Sequence, residues 1–197
     1  MKKLVLATNN ANKAAEIKAL LKDLEVEVLT LQDYPELKMP EEDRPDFAGN
    51  AAKKAETVAA YSGLPAMADD SGLEVEALKG RPGVRSARYA GEYSSDRDNN
   101  VLLLKELAGI PPQRRGARFR CAVAVAVPGR QTEIVEGSCA GRIAEKPAGE
   151  NGFGYDPLFI YEPEGLTFAQ MSREAKNRVS HRGKALAKAR KLLRELL

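Results

Sequence analysis

The chain has 197 residues, of which 43% are hydrophobic and 30% are charged, enough to form a globular core. Its 31 basic and 28 acidic residues leave a net charge of +3, which argues against nucleic-acid or membrane binding by overall charge alone. The apolar run at 4–7 is too short for a signal peptide or a membrane span, so we expect a cytoplasmic protein. Cys121 and Cys139 lack metal-site spacing and predict buried, reduced thiols, and the single histidine argues against a histidine-rich metal centre.

The first third of the chain predicts alternating strands and helices. Residues 4–7 are typical of a buried strand, and apolar residues at 17–24 recur at helical spacing. Residues 26–28 alternate as a second strand. The Pro-rich, acidic segment 32–45 predicts an exposed loop, and 47–58 has the apolar spacing of a second helix.

The middle of the chain continues this pattern. A short strand is predicted at 66–68, and residues 73–77 alternate as another strand. The Pro and Gly residues of 81–92 predict a structured loop. Ser95, with Asp98 three residues later, has the capping-box spacing that begins a helix.

The remainder predicts a strand pair and a final helix. Residues 118–127 and 131–141 form the longest predicted strands, joined by a Pro-Gly turn, and the last helix begins at about Ser180. Neither a repeat nor a long linker interrupts the chain, so we expect residues 1–197 to form a single α/β domain.

Residues 8–13, Thr-Asn-Asn-Ala-Asn-Lys, lie where the first predicted strand gives way to the first helix. The N–H groups and dipole of a helix start favour an anion, and Lys13 adds a positive charge. Asn10, Lys13 and Glu16 are three residues apart and share one helix face. Asn-rich helix starts are also common caps, so this segment alone fits a phosphate site or a plain cap.

An acidic pair, Asp69 and Asp70, follows the strand predicted at 66–68 and precedes Ser and Gly. Extended backbone points consecutive side chains to opposite faces, so one carboxylate reaches a site directly while the other makes a structural bond. Mg²⁺ prefers few carboxylates together with water and phosphate oxygens, so one Asp and one Glu, either Glu41 or Glu42, suffice. The alternative is an Asp pair that caps a turn.

Cationic donors gather near the end of the chain. Lys176, His181 and Arg182 fall within one short stretch, which fits either a binding site or the solvated basic face of a terminal helix. A Ser-His-Arg-Gly turn is an unusual use of a single imidazole, which favours a site. The Gly-rich segment 153–156, Phe-Gly-Tyr-Asp, fits a base-stacking platform or a turn packed by aromatic side chains.

Taken together, these segments resemble the inosine triphosphate pyrophosphatase family, most closely its bacterial XTP/dITP diphosphatases. The resemblance spans nearly the whole chain, because six segments occur in the family's order and spacing. The segments are residues 8–13, 47–51, 68–72, 82–89, 153–156 and 180–183.

The resemblance implies a fold and an activity. The fold is a long, twisted, mixed β-sheet flanked by helices in two lobes, with the active site in a central groove. The activity is Mg²⁺-dependent hydrolysis of non-standard purine nucleoside triphosphates, such as ITP, XTP and dITP, to the monophosphate and pyrophosphate. The family also implies a homodimer that removes deaminated purine nucleotides from the nucleotide pool.

The resemblance further assigns roles to residues of this chain. Asp70 is the expected catalytic acid/base and a metal ligand, and Glu42 is the second ligand because it stands five residues before Phe47. Many relatives have Thr immediately before that Phe, whereas this chain has Asp46, so the local bonds of the loop are expected to differ. The expected residues that hold the triphosphate are Thr8, Asn9, Asn10, Ala11, Asn12 and Lys13, and Ser71 is expected to touch the substrate. The nucleoside pocket is expected to be lined by Phe153, Gly154, Tyr155, Asp156, Lys176, His181 and Arg182.

A pocket lined by donors rejects adenine, because adenine presents a 6-amino donor where hypoxanthine and xanthine present a carbonyl acceptor. The expected nucleophile is water, with either Asp70 or a metal-bound hydroxide as the base. Two alternatives stay open: a non-catalytic nucleotide- or nucleic-acid-binding module, favoured by the basic terminal helix, and a related pyrophosphatase with another base preference.

Overall fold

The computed structural model describes residues 2–197, and for Leu20 the backbone only. The described chain forms strands and helices in α/β order, with short 3₁₀ turns between them. The strands are β1 (Lys2–Leu6), β2 (Val26–Thr30), β3 (Ala66–Val75), β4 (Gly116–Ala126), β5 (Glu133–Ile143), β6 (Phe159–Tyr161) and β7 (Leu166–Thr167). The helices are α1 (Ala11–Leu21), α2 (Phe47–Ser62), α3 (Asp96–Glu106), α4 (Arg173–Val179) and α5 (His181–Leu196).

Within residues 2–197 the strands form one mixed sheet in the order β2-β1-β3-β4-β5-β6-β7. β1 pairs in parallel with β2, from Lys2 opposite Val26 onwards, and with β3, where Val5 lies opposite Ala66. β6 is antiparallel to both β5 and β7. The predicted mixed sheet flanked by helices is thereby confirmed.

The described chain divides into two compact units, each with its own apolar core. The first unit comprises the chain up to Asp70, Cys121–Gly137 and Gly183–Leu197. Its core is built from aliphatic side chains of β1, β3, β4, α1 and α5. Leu186 and Leu193 bury the apolar face of α5 there, while the helix exposes basic side chains at Lys184, Lys188, Lys191 and Arg194.

The second unit comprises Ser71–Arg120 and Ser138–Arg182. Its core is aromatic at the centre, where the Phe119, Phe159 and Phe168 rings lie with centroids 4.7–5.9 Å apart.

Both cysteines of the chain are buried free thiols, as predicted. The expectation of a single domain over the whole chain stays a prediction.

The helix starts follow their capping residues. Asn10 caps α1 by accepting a hydrogen bond from the Lys13 N–H at 3.1 Å. Ser95 and Asp98 form the predicted capping box of α3, with the Asp98 carboxylate accepting from the Ser95 N–H at 2.9 Å. No helix within residues 2–197 is long and apolar enough to cross a membrane.

One prediction about elements was wrong, and one helix was not predicted. The acidic pair lies inside one continuous strand, β3, rather than between two short ones. The carboxylates broke the apolar pattern, but because they are buried and ion-paired the strand continues through them. Helix α4 was missed since its sequence, Arg-Glu-Ala-Lys-Asn-Arg-Val, is mostly polar; its cap, Ser172, was the available signal.

Candidate active site

The N-terminus of α1 is capped by its own side chains and is exposed to solvent. Thr8 Oγ accepts a hydrogen bond from the Asn10 N–H at 3.2 Å, and the Asn10 side chain caps the helix. Asn9, Ala11 and Asn12 are exposed beside it. The segment is therefore a capped helix N-terminus, and its exposed end remains accessible to an anion.

Lys13 reaches from α1 to the acidic strand. Its ammonium lies 3.1 Å from the carboxylate of Asp69, which is fully buried. The buried carboxylate thus fixes the position of a lysine that would otherwise move freely in solvent. Because side chains alternate along an extended strand, one member of the acidic pair was predicted to make a structural bond. Asp69 makes that bond, with Lys13.

Asp70 belongs to a second charge cluster, formed with Lys54 of α2 and with Glu42. The Lys54 ammonium lies 2.6 Å from Glu42 Oε1 and 3.4 Å from Asp70 Oδ1. Lys54 and Asp70 are both buried, whereas Glu42 is partly exposed. Two carboxylates therefore converge on one ammonium group, and Asp70 Oδ2 is buried without a hydrogen-bond partner among the described residues.

The electrostatics of this cluster shift two pKa values. Burial raises the pKa of Asp70, although the positive charge of Lys54 opposes the change. Burial also acts to lower the pKa of Lys54, but the charges of Asp70 and Glu42 outweigh it and the pKa is raised. Lys54 is thus held in its charged form.

Lys54 is a candidate site residue that the sequence analysis missed. It lies on the face of α2 that also buries Phe47, Ala51 and Val58. A lysine at an apolar position of an amphipathic helix is rarely buried without a counter-charge. That mismatch with the pattern was the signal in the sequence.

The loop before α2 holds Glu42 in place. The Lys53 ammonium donates to the Glu41 carbonyl at 3.0 Å and to the Asp43 carboxylate at 2.9 Å. Buried Asn50 accepts from the Arg44 N–H at 2.9 Å. The loop is thus held on both sides of Glu42, whose carboxylate contacts Lys54, while Glu41 is exposed.

Asp46, the residue at which the loop was expected to differ, is the N-cap of α2. Its side chain accepts from the Gly49 N–H at 2.7 Å and caps α2. The expected departure in local bonding therefore leaves the start of the helix intact.

In the second unit, buried cations gather around the 153–156 loop. Lys176 forms a 2.6 Å ion pair with Asp156, and both side chains are buried. Asp156 also accepts from the Phe153 N–H at 2.9 Å. The Lys176 ammonium and the Arg182 guanidinium lie 4.8 Å and 5.3 Å from the centre of the Phe153 ring, close enough for cation–π attraction.

His181 and Arg182 begin α5, and both are buried rather than solvated. The His181 imidazole stacks on the Phe119 ring with centroids 4.5 Å apart and planes 10° from parallel. Arg182 donates to Ser71 Oγ at 2.9 Å. A solvated basic face therefore does not describe these residues.

Tyr155 occupies a different environment from its neighbours in the loop. It is buried in the aromatic core of its unit, and its hydroxyl donates to the Ser86 carbonyl at 2.8 Å. Burial raises the pKa of the phenol above its ordinary range. The structure thus places Tyr155 as a packing residue beneath the loop, and its expected contact with a nucleoside stays a prediction.

The described residues include no group of three or more His, Cys, Asp or Glu side chains poised to hold a metal ion. Glu42 and Asp70 do fit a divalent cation that takes its remaining ligands from water or phosphate, because oxygen donors from one or two carboxylates are what Mg²⁺ uses. The buried, unpartnered Oδ2 atom of Asp70 is the observation that supports this fit.

The fold is that of an α/β protein with buried carboxylates paired to lysines in its first unit and a cation-flanked aromatic loop in its second. The chain belongs to the Ham1 family, whose model matches residues 4–192. It is 52% identical to a dITP/XTP pyrophosphatase of Geobacillus kaustophilus, over 95% of this chain and 92% of that protein. It is 51% identical to a dITP/XTP pyrophosphatase of Desulforamulus reducens, over 98% and 96% of the two chains.

Solved structures agree with the family. A HAM1 protein from Coxiella burnetii superposes with a TM-score of 0.91 at 38% identity, covering 99% of this chain and all of that one. The Staphylococcus aureus Ham1 protein gives a TM-score of 0.89 at 38% identity, with complete coverage of both chains.

Replacing Lys54 by Met removes the counter-charge from two carboxylates, one of them buried. We expect the metal-free protein to lose about 3 kcal/mol of unfolding free energy at pH 7. Lys53→Met is the matched control, because Lys53 pairs with the exposed Asp43 and its removal costs less than about 1 kcal/mol. Urea unfolding with a chelator present measures both, and equal losses would show that Lys54 does not neutralise the cluster.

Proposed function

We propose that this protein hydrolyses non-standard purine nucleoside triphosphates, with dITP, XTP and ITP as substrates, to the nucleoside monophosphate and pyrophosphate. The family and the names of the two relatives above support the reaction. The observation in the structure that carries the proposal is the convergence of Glu42 and Asp70 on Lys54, with one buried carboxylate oxygen left for a ligand.

The residues at the start of α1 are proposed to hold the triphosphate. Exposed helix-end amides favour anionic oxygens, and the dipole of α1 adds to that preference. Lys13, held in place by Asp69, places a fixed positive charge for the negative charge that develops on departing pyrophosphate. The expected contacts are with Thr8, Asn9, Asn10, Ala11, Asn12 and Lys13.

Glu42 and Asp70 are proposed to hold Mg²⁺. When bound, the ion supplies charge neutralisation on the phosphate oxygens and lowers the pKa of a coordinated water. In the absence of ligand, the Lys54 ammonium holds both carboxylates by ion pairs. The raised pKa of Lys54 means that its ammonium group stays charged. The protein therefore contributes mainly pre-organisation and charge compensation.

Water is the proposed nucleophile. The Asp70 carboxylate would accept a hydrogen bond from that water and so orient its oxygen towards phosphorus. The new P–O bond forms as the bridging bond between the α- and β-phosphates breaks. Pyrophosphate leaves with the bridging electron pair, and the proton of the water passes to solvent or to a carboxylate.

The base is proposed to be read by donors of the second unit. Lys176, fixed and neutralised by Asp156, offers N–H groups to a 6-carbonyl acceptor, as do His181 and Arg182. Adenine presents an amino donor at that position, so it leaves buried donors unpaired and is rejected. The Phe153 ring supplies a stacking surface, and Ser71 is positioned by its bond to Arg182.

Two further expectations complete the proposal. The enzyme acts as a homodimer, and it works in the cytoplasm, where damaged nucleotides arise alongside normal ones. Sequence resemblance supports the dimer.

The first experiment is a product assay with Mg²⁺ and ITP, XTP, dITP, GTP or ATP, following pyrophosphate and orthophosphate separately. The proposal predicts pyrophosphate from ITP, XTP and dITP, with at least about tenfold lower kcat/KM for ATP. GTP shares the 6-carbonyl, so its rate reports whether the 2-amino group of guanine is excluded as well. Pyrophosphate from other nucleotides instead would indicate a different base preference. Orthophosphate alone, or tight binding without product, would reject the proposed reaction and favour a binding module.

Asp70→Asn is expected to lower turnover of ITP to less than about one tenth while leaving the protein folded. Because burial raises the pKa of Asp70, its ionised form is less favourable in the folded than in the unfolded chain. The variant should therefore be at least as stable as wild type at pH 7. Any difference should vanish below the ordinary carboxyl pKa of 3.8, where both states are protonated. Urea unfolding at pH 7 and pH 3 checks this, and near-normal turnover would remove Asp70 from the mechanism.

His181→Ala is expected to reduce the ratio of kcat/KM for ITP over ATP by about tenfold, because one of the donors proposed to read the base is lost. Lys184→Ala, an exposed position in the first turn of the same helix, is the control and should leave the ratio unchanged. An unaltered ratio in His181→Ala would transfer base reading to another residue.

A further inference from the structure

Two side chains of helix α3 form hydrogen bonds with the backbone N–H and C=O of Gly154, the residue after Phe153. The Gly154 N–H donates to the Asp96 carboxylate at 2.7 Å, and the Gly154 carbonyl accepts from the Asn100 side-chain amide at 2.9 Å. Asp96 and Asn100 lie more than 50 residues before Gly154 and belong to none of the segments that carry the family resemblance. We propose that these two side chains are positioning residues that set the place of the Phe153 ring for base recognition.

The loop needs such external support. Phe153 stands between Gly152 and Gly154, whose φ angles of +78° and +61° lie in the left-handed region. Glycines on both sides give the backbone wide conformational freedom, so the position of the ring is set by hydrogen bonds rather than by local stiffness. Asp156 holds the Phe153 N–H, and α3 holds both polar groups of Gly154.

Helix α3 is suited to this task. Asp96 and Asn100 are four residues apart, so their side chains project from the same face of the helix. A carboxylate in the first turn is favoured by the helix dipole, and the capping box of Ser95 and Asp98 stabilises that turn. Fully buried Leu103 anchors the helix in the core of the second unit. The loop is thus fixed to a rigid element.

The inference rests on the proposed function and refines it. The ring of Phe153 lies under the two cations proposed to read the base, 4.8 Å from Lys176 Nζ and 5.3 Å from Arg182 Cζ. If the loop shifts, the stacking surface moves relative to those donors. The loop belongs to the unit proposed to read the base, whereas the carboxylates proposed to act on the phosphates belong to the first unit, so nucleotide binding and base discrimination should suffer more than the chemical step.

The test compares Asp96→Ala with wild type in the full-length, Mg²⁺-supplied enzyme. We expect KM for ITP to rise about tenfold with kcat changed by less than about twofold, and the preference for ITP over ATP to fall. Asp96→Asn retains an oxygen acceptor and should recover most of the affinity. Asn100→Asp places a carboxylate against the Gly154 carbonyl and should raise KM as Asp96→Ala does.

Asp98→Ala is the matched control. It removes a carboxylate from the same turn and weakens the capping box of α3, but its side chain does not contact the loop. It should lower the melting temperature without changing KM. If Asp98→Ala raises KM as much as Asp96→Ala, general destabilisation of the helix explains the effect and the positioning role is overturned.

A second readout is independent of catalysis. Amide hydrogen exchange of the free protein should show faster exchange at Gly154 in Asp96→Ala than in wild type or Asp98→Ala. Unchanged exchange at Gly154, or a wild-type KM in Asp96→Ala when wild type hydrolyses ITP, would overturn the inference. If wild-type protein releases no pyrophosphate from ITP, the proposed function fails instead, while the exchange measurement still tests the grip of α3 on the loop.

Discussion

Neutralisation of buried charge is the constraint on which the rest of this structure depends. Strand β3 places Asp69 and Asp70 in the interior of the first unit, where an isolated carboxylate is very costly. Each therefore has a lysine brought by a helix: Lys13 from α1 for Asp69, and Lys54 from α2 for Asp70. These pairs add little to net stability compared with an apolar core, but they fix charged groups in place before any ligand arrives. A site that acts on phosphates needs such charges pre-positioned.

In the second unit too, a buried charge is neutralised by a partner of opposite charge, but there the buried charge is a cation. There the cation is the group to be presented, and buried Asp156 is the counter-charge that keeps the Lys176 ammonium in position. The same carboxylate also holds the Phe153 N–H, so one side chain joins the cation to the aromatic surface. Asp96 and Asn100 extend this support from a rigid helix to the flexible side of the loop. The proposed base recognition thus relies on side chains that hold the loop in place.

The sequence predicted well those features that depend on local chemistry. The capping box at Ser95, the buried free cysteines and the alternation of strands and helices each follow from neighbouring residues. The continuity of β3 could not be read locally, because a buried acidic pair looks like a strand end until its lysine partners are known. Lys54 was recognisable only as an anomaly on an apolar helix face. The contacts of Asp96 and Asn100 join residues more than 50 positions apart, and no local pattern marks them.

The central claim is that water cleaves the substrate once, between the α- and β-phosphates, and that pyrophosphate departs intact. Hydrolysis of dITP in ¹⁸O-labelled water, followed by mass spectrometry of all products, tests it most directly. The account predicts deoxyinosine monophosphate and pyrophosphate as the initial products. One ¹⁸O atom is incorporated per turnover, into either the monophosphate or the pyrophosphate, and no labelled orthophosphate is formed. Labelled orthophosphate together with a nucleoside diphosphate would contradict it, because the attack would then fall on the terminal phosphate.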